Sequence, residues 1–147
     1  MTVKRCTTAD TEEIYRIEEA AFSDPLKKET MAKDLERESY CCYALFDPDA
    51  KAFISYEKVF DEGQVISVAT KPECRRKGFA EKLFNEIVAF AKKDGISFFT
   101  LEVRSDNEAA IKLYTKLGFK RVGVRKNYYR NPLCDAILMD LHIGDEK

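Results

Sequence analysis

Val68-Ala69-Thr70-Lys71-Pro72-Glu73-Cys74-Arg75-Arg76-Lys77-Gly78-Phe79-Ala80 is the stretch from which the rest of the chain can be read. A β-branched run ends, a loop carries Arg75, Arg76 and Lys77, and a long apolar stripe starts beyond Gly78: Phe79, Ala80, Leu83, Phe84, Ile87, Val88 and Ala91 fall at helical spacing. A strand therefore feeds a helix through a cationic, glycine-containing turn. The first amides of a helix lack internal partners and lie at the positive end of its dipole. With Gly78 and Ala80 leaving the backbone open, such a terminus can take phosphate oxygens. Neither G-x-x-x-x-G-K-[ST] nor G-x-G-x-x-G is present, so this is neither a P-loop nor a dinucleotide fingerprint. A pyrophosphate-bearing ligand and a solvated basic turn both satisfy the pattern.

Outward from that stretch, periodicity gives the order β-α-α-β-β-β-α-β-α-β-β. On the N-terminal side, Thr2 to Cys6 reads as a strand. Asp10 and Glu13 form a capping arrangement ahead of Ile14, Ile17, Ala21 and Phe22, and Lys28 to Arg37 is a second, more polar helix. Tyr40 to Phe46, Ala52 to Phe60 and Gln64 to Thr70 are strands of an antiparallel meander, with turns at Asp47-Pro48-Asp49 and Asp61-Glu62-Gly63. On the C-terminal side the long helix stops at Lys92-Lys93-Asp94-Gly95. Ser97 to Val103 is a strand apolar on both faces, as a central strand between helices would be. Asn107 to Leu117 is a helix closed by Gly118, Val122 and Val124 begin a strand, and Ala136 to Ile143 alternates cleanly. The expected fold is α/β (α+β): one domain over 1–147, with a mixed, mostly antiparallel central sheet and helices on both faces.

Composition limits the chemistry. With 147 residues, 45% hydrophobic and 35% charged, the chain can bury a core without metal or disulfides. Its 25 Lys+Arg against 26 Asp+Glu speak against nucleic acid as a partner, and no apolar run suits a membrane or a signal peptide. A cytoplasmic protein is expected. The five cysteines show no C-x-x-C spacing, and the single histidine, His142, has no neighbour to orient it. Reduced, buried thiols and a catalyst without metal follow. Glu102, in Leu101-Glu102-Val103-Arg104, is a carboxylate in an apolar strand, so it faces a cationic partner, a cleft or water, and could serve as a general base. Tyr114 lies on the next helix, where a tyrosine is as readily a core residue.

Arg75-Arg76-Lys77-Gly78-Phe79-Ala80 resembles the Q/R-x-x-G-x-G/A motif of the GNAT N-acetyltransferases, and Asn107 to Phe119 resembles their N-x-x-A-x-x-x-Y-x-x-x-G-F helix. Leu101 to Ser105, Asn127-Tyr128-Tyr129 and Asp135-Ala136 are similar to the ribosomal-protein alanine acetyltransferase (RimI) subfamily. The resemblance implies acetyl-CoA as co-substrate. Its pantetheine arm would lie along Val68, Ala69 and Thr70. Its pyrophosphate would lie at the Arg75 motif, among Arg76, Lys77, Gly78, Phe79, Ala80 and Glu81, and Asn107 would hold the cofactor. Glu102 would be the base and Tyr114 the acid, and Asn127, Tyr128 and Tyr129 would line the peptide side. Three positions depart from the pattern: Ala80 replaces the second motif glycine, Ser23-Asp24-Pro25-Leu26 lacks a Pro-Trp pair, and Cys134 stands where a Glu commonly precedes Asp-Ala. The last two lie on the peptide side.

The resemblance implies transfer to a protein N-terminus, plausibly the alanine of a small-subunit ribosomal protein. A protein α-amine titrates near 7.7–8.0 and a lysine near 10.4, so one carboxylate suffices for the former. A small-molecule amine is the alternative acceptor, and a non-catalytic acetyl-CoA sensor is the alternative from a different class.

Overall fold

A computed structural model describes residues 1–144. Its elements follow the expected order: β1 (Thr2–Arg5), α1 (Thr11–Ala21), α2 (Lys28–Glu36), β2 (Tyr40–Phe46), β3 (Ala50–Val59), β4 (Glu62–Thr70), α3 (Phe79–Lys93), β5 (Phe98–Arg104), α4 (Glu108–Lys116), β6 (Lys120–Arg130) and β7 (Leu133–His142). Seven strands form one sheet in the order β1-β2-β3-β4-β5-β7-β6. All neighbours are antiparallel except β4 and β5. No helix among the described residues is long and apolar enough to cross a membrane.

Strand alternation sends the side chains of the first half of the sheet into two cores. On one face Ile14 and Ile17 of α1 and Met31 of α2 pack on Cys42, Ala44, Phe53 and Ala69. On the other, Leu83, Phe84, Ile87 and Ala91 of α3 pack on Leu45, Ile54, Phe99 and Leu101, with Ile111 and Tyr114 of α4 at the margin. Each fully buried aliphatic side chain here contributes roughly 1.5–3 kcal/mol. Helices thus cover both faces, as the sequence predicts.

Three local expectations are corrected. The Asp10–Glu13 cap does not form: a 3-10 turn at Thr8–Asp10 precedes α1, and the capping box closes between Thr7 and Asp10. Glu13 instead accepts a hydrogen bond from the Ala50 amide at 2.9 Å. Gly63 is a strand residue, not a turn residue: it pairs with Phe99 across β4 and β5, and a Cβ there would lie 2.6 Å from the Phe99 ring. The turn falls at Phe60, in the left-handed region (φ 56°) and 91% exposed. Finally, β5 is covered on one face only. Phe99, Leu101 and Val103 are buried, while Glu102 on the other face is exposed, because α1 and α2 stop short of this half of the sheet.

Candidate active site

The site begins where two parallel strands part. β4 and β5 pair only at Glu62↔Phe98, Gly63↔Phe99 and Gln64↔Thr100. Just beyond, the β3–β4 register steps from Tyr56↔Val65 to Ser55↔Ser67, a bulge at Ile66 that bends β4 away. β4 continues with β3 to Thr70↔Ala52, and β5 continues with β7 to Arg104↔Ala136. The strands therefore diverge as a wedge toward their C-terminal ends, the position where open sheets with parallel strands admit ligands. Among the described residues, the β5-facing edge of Val68, Ala69 and Thr70 has no strand partner.

A cleft of about 680 Å³ fills that wedge. Its walls are Val68, Ala69 and Thr70 of β4, then Cys74, Arg75 and Arg76 of the loop, then Gly78, Phe79, Ala80 and Glu81 at the start of α3. Asn107, Leu113, Tyr114 and Lys116 face them from α4, and Ala21 and Phe22 close the end of α1. Lys77 does not line it. Lys71 is also withdrawn: its ammonium lies 2.5 Å from Asp49, and its amide donates to the Lys51 carbonyl. Together with Lys51, it holds the Asp49 carboxyl well below the usual carboxylate range.

Backbone geometry makes this loop receptive to anions. Arg76 (φ 64°) and Gly78 (φ 78°) are both left-handed. For a non-glycine residue that conformation costs roughly 1–3 kcal/mol and tends to mark functional turns. A Cβ at Gly78 would meet nothing within 4 Å, so the space before the helix is open. Among the described residues no side chain caps the start of α3. Its first internal bond is Lys82 N–H to Gly78 O, leaving the Phe79, Ala80 and Glu81 amides without helical acceptors. Opposite, the Asn107 Oδ1 caps α4 by accepting from the Ala110 amide at 3.1 Å, so this side chain holds its own helix while lining the cleft.

Tyr114 stands edge-on to Phe119, with ring centroids 5.8 Å apart. Burial, with a smaller contribution from nearby Tyr129, pushes its phenol up to about 12. Glu102 lies outside the cleft, on the uncovered face of β5. Its Oε1 forms an ion pair with Arg125 Nε at 3.7 Å, too long for a hydrogen bond, and the Glu102 side chain is 34% exposed. Arg125 in turn lies over the Tyr128 ring at 5.6 Å, and Arg104 over Tyr129 at 5.0 Å. Tyr129 links the two groups: burial raises its pKa first, Glu102 raises it further, and it acts in turn on Tyr114.

Asn127, Tyr128 and Tyr129 belong to an arch. Between Arg125↔Ala136 and Tyr129↔Cys134, residues 126–128 of β6 oppose Asp135 alone. Asn127 adopts φ 52°, its amide donates to Asp135 Oδ1 at 2.8 Å, and Lys126 pairs with Oδ2 at 3.3 Å. Those contacts hold the Asp135 carboxyl below its ordinary value. The structure thus brings the β4, loop, α3 and α4 residues into one cleft and sets Glu102 and the arch beside it. Sequence reasoning missed Phe22, Cys74, Leu113 and Lys116. Only the Phe22-to-Pro25 break offered a signal.

A mixed sheet that opens between two parallel strands beside an uncapped, cation-flanked helix defines an acyl-transfer fold, and the chain belongs to the acetyltransferase (GNAT) family, whose model matches residues 11–119. It is an N-acetyltransferase. The chain is 33% identical, over 97% of its length and 98% of the relative's, to the [ribosomal protein bS18]-alanine N-acetyltransferase of Escherichia coli (strain K12). It is 30% identical to the enzyme of that name from Haemophilus ducreyi (strain 35000HP / ATCC 700724), over 91% of this chain and 94% of that one. The crystal structure of the ribosomal-protein-S18-alanine N-acetyltransferase from Escherichia coli matches with TM-score 0.87 and 32% identity, covering 99% of this chain and 96% of that one.

Proposed function

We propose that residues 1–147 form one catalytic domain that acts in the cytoplasm and acetylates the N-terminal α-amino group of a protein. The acceptor is the N-terminal alanine of a small-subunit ribosomal protein, as in the names of its relatives. The observation that carries this reading is the wedge itself, with an unpartnered strand edge on one side, Tyr114 within it and Glu102 beside it.

Acetyl-CoA, when bound, supplies a thioester whose acyl carbon the amine can attack. The free edge of Val68, Ala69 and Thr70 suits the amides of an extended pantetheine arm, which would hydrogen-bond like an added strand. Arg75, Arg76 and the amides of Phe79, Ala80 and Glu81 would hold the diphosphate, with Gly78 leaving room and Lys77 adding charge outside the cleft. Asn107 would fix the α4 wall. Glu102 would take the amine proton, directly or through one water. Tyr114 would return a proton to the leaving sulfur. A phenol near 12 is a weak acid toward a thiol of ordinary pKa near 8.5, yet the same burial that raises the phenol raises a thiolate formed beside it.

An extended acceptor fits better than a small amine. Glu102 sits on an open face flanked by the 126–128 arch, with Tyr128 48% exposed, and a chain can lie across it. Incubating the protein and isotope-labelled acetyl-CoA with ribosomal-protein N-terminal peptides, lysine-containing peptides and small amines, followed by mass spectrometry, tests this. Label on an N-terminal alanine is expected. Label confined to lysine or to small amines overturns the acceptor assignment, and acetyl-CoA binding without CoA release for any amine overturns the activity.

A further inference from the structure

Among the described residues lining the cleft, Glu81 is the only carboxylate, and it sits in the first turn of α3 where an anionic ligand would be held. A carboxylate at that point repels phosphate. Its Oε1 lies 2.8 Å from Nζ of Lys116, which reaches across from the last turn of α4. The two side chains are 37% and 66% exposed, so the pair stands at the mouth of the cleft, and such exposed pairs hold weakly. Lysine is a compact charge on a flexible stem and can change partners without moving its helix.

We propose that Lys116 is a diphosphate-binding residue that Glu81 holds in reserve. It pairs with the carboxylate while the cleft is free of ligand and transfers to the phosphates when an acyl-CoA enters. The exchange replaces a weak exposed pair with charge-assisted hydrogen bonds to a more highly charged group. It also explains how an acidic residue can occupy an anion site: the helix start stabilises Glu81 until a stronger anion arrives. The inference rests on the reading of this cleft as the acetyl-CoA site.

Calorimetry of Lys116→Met and Glu81→Gln with acetyl-CoA, its 3′-dephospho form and S-acetylpantetheine tests it. Lys116→Met is expected to weaken both diphosphate ligands about tenfold, the scale of one charge-assisted contact, and to leave S-acetylpantetheine unchanged. Glu81→Gln is expected to tighten both diphosphate ligands, roughly two- to fivefold, by releasing the lysine. Equal weakening by both substitutions would make the pair a wall element and overturn the inference. So would a Lys116→Met loss that extends to S-acetylpantetheine or disappears with the 3′-dephospho form. Hydrogen exchange on the unsubstituted protein separates this from the underlying reading: acetyl-CoA must protect the amides of 78–82, and absent protection removes the site itself.

Discussion

The two sides of the wedge are built differently. On the side proposed to hold the donor, the groups offered are largely backbone: the β4 edge at Val68–Thr70 and the amides of Phe79–Glu81, fixed by a strand, a bulge and a helix that rests on a buried apolar stripe. On the side proposed to receive the acceptor they are long side chains on strands with one uncovered face. There Glu102 and Arg125, Arg125 and Tyr128, and Arg104 and Tyr129 meet through charge and stacking. Backbone placed by secondary structure can bind one ligand across many sequences. Side chains on an open face can be exchanged without disturbing the core, so on the proposed reading substitutions there should change acceptor choice more than donor binding.

This contrast can be broken most sharply at Glu102. Glu102→Gln is expected to lower kcat roughly 10²- to 10⁴-fold, the usual scale of a general base, while leaving the acetyl-CoA Kd unchanged. The deficit shrinks as pH rises past about 8, where an α-amine is already neutral. A rate unaltered across pH removes Glu102 from that role. Gly78→Val probes the opposite side. Forcing a β-branched residue to φ 78° costs roughly 1–3 kcal/mol and pushes methyl groups into the open cleft. It should weaken acetyl-CoA binding roughly 10- to 100-fold with little change in kcat at saturation, and unchanged calorimetric affinity would show that the turn carries no ligand.

Tyr114→Phe should have the smallest effect, a loss in kcat of roughly tenfold with acetyl-CoA affinity retained. A folded-state pKa near 12 lies above the ordinary tyrosine value of about 10, so the phenol stays protonated across the working range. The pH–rate profile should show no loss from this group below about pH 10. Burial of the neutral phenol supports the fold below the unfolded pKa and ceases to do so as pH climbs from about 10 toward 12. The phenylalanine variant should therefore show a shallower decline in melting temperature over that interval. Normal turnover would leave Tyr114 as a packing residue.

Much of the cleft wall proposed to hold the donor was legible in the sequence because its signals are local. The α3 stripe, the cationic loop, Gly78 and the Asn107–Tyr114 helix each lie within one or two turns of chain. The acceptor side was less legible. The arch depends on Asp135 reaching the Asn127 amide from the neighbouring strand, and the exposure of Glu102 depends on where α1 and α2 end over the sheet. Gly63 looked like a turn because the Phe99 ring that needs its missing Cβ lies on another strand.

By itself the sequence determined the element order, the mixed sheet with helices on both faces and the cation-flanked start of α3 at Gly78, because periodicity and turn chemistry act over a few residues. Only the tertiary structure decided that β4 and β5 hold together at Gly63 and part after Gln64, that Lys71 is bound to Asp49 while Lys116 faces the cleft, and that Glu102 looks out from an uncovered face. Strand register and helix docking are fixed by packing between residues far apart in the chain, and no local pattern encodes them.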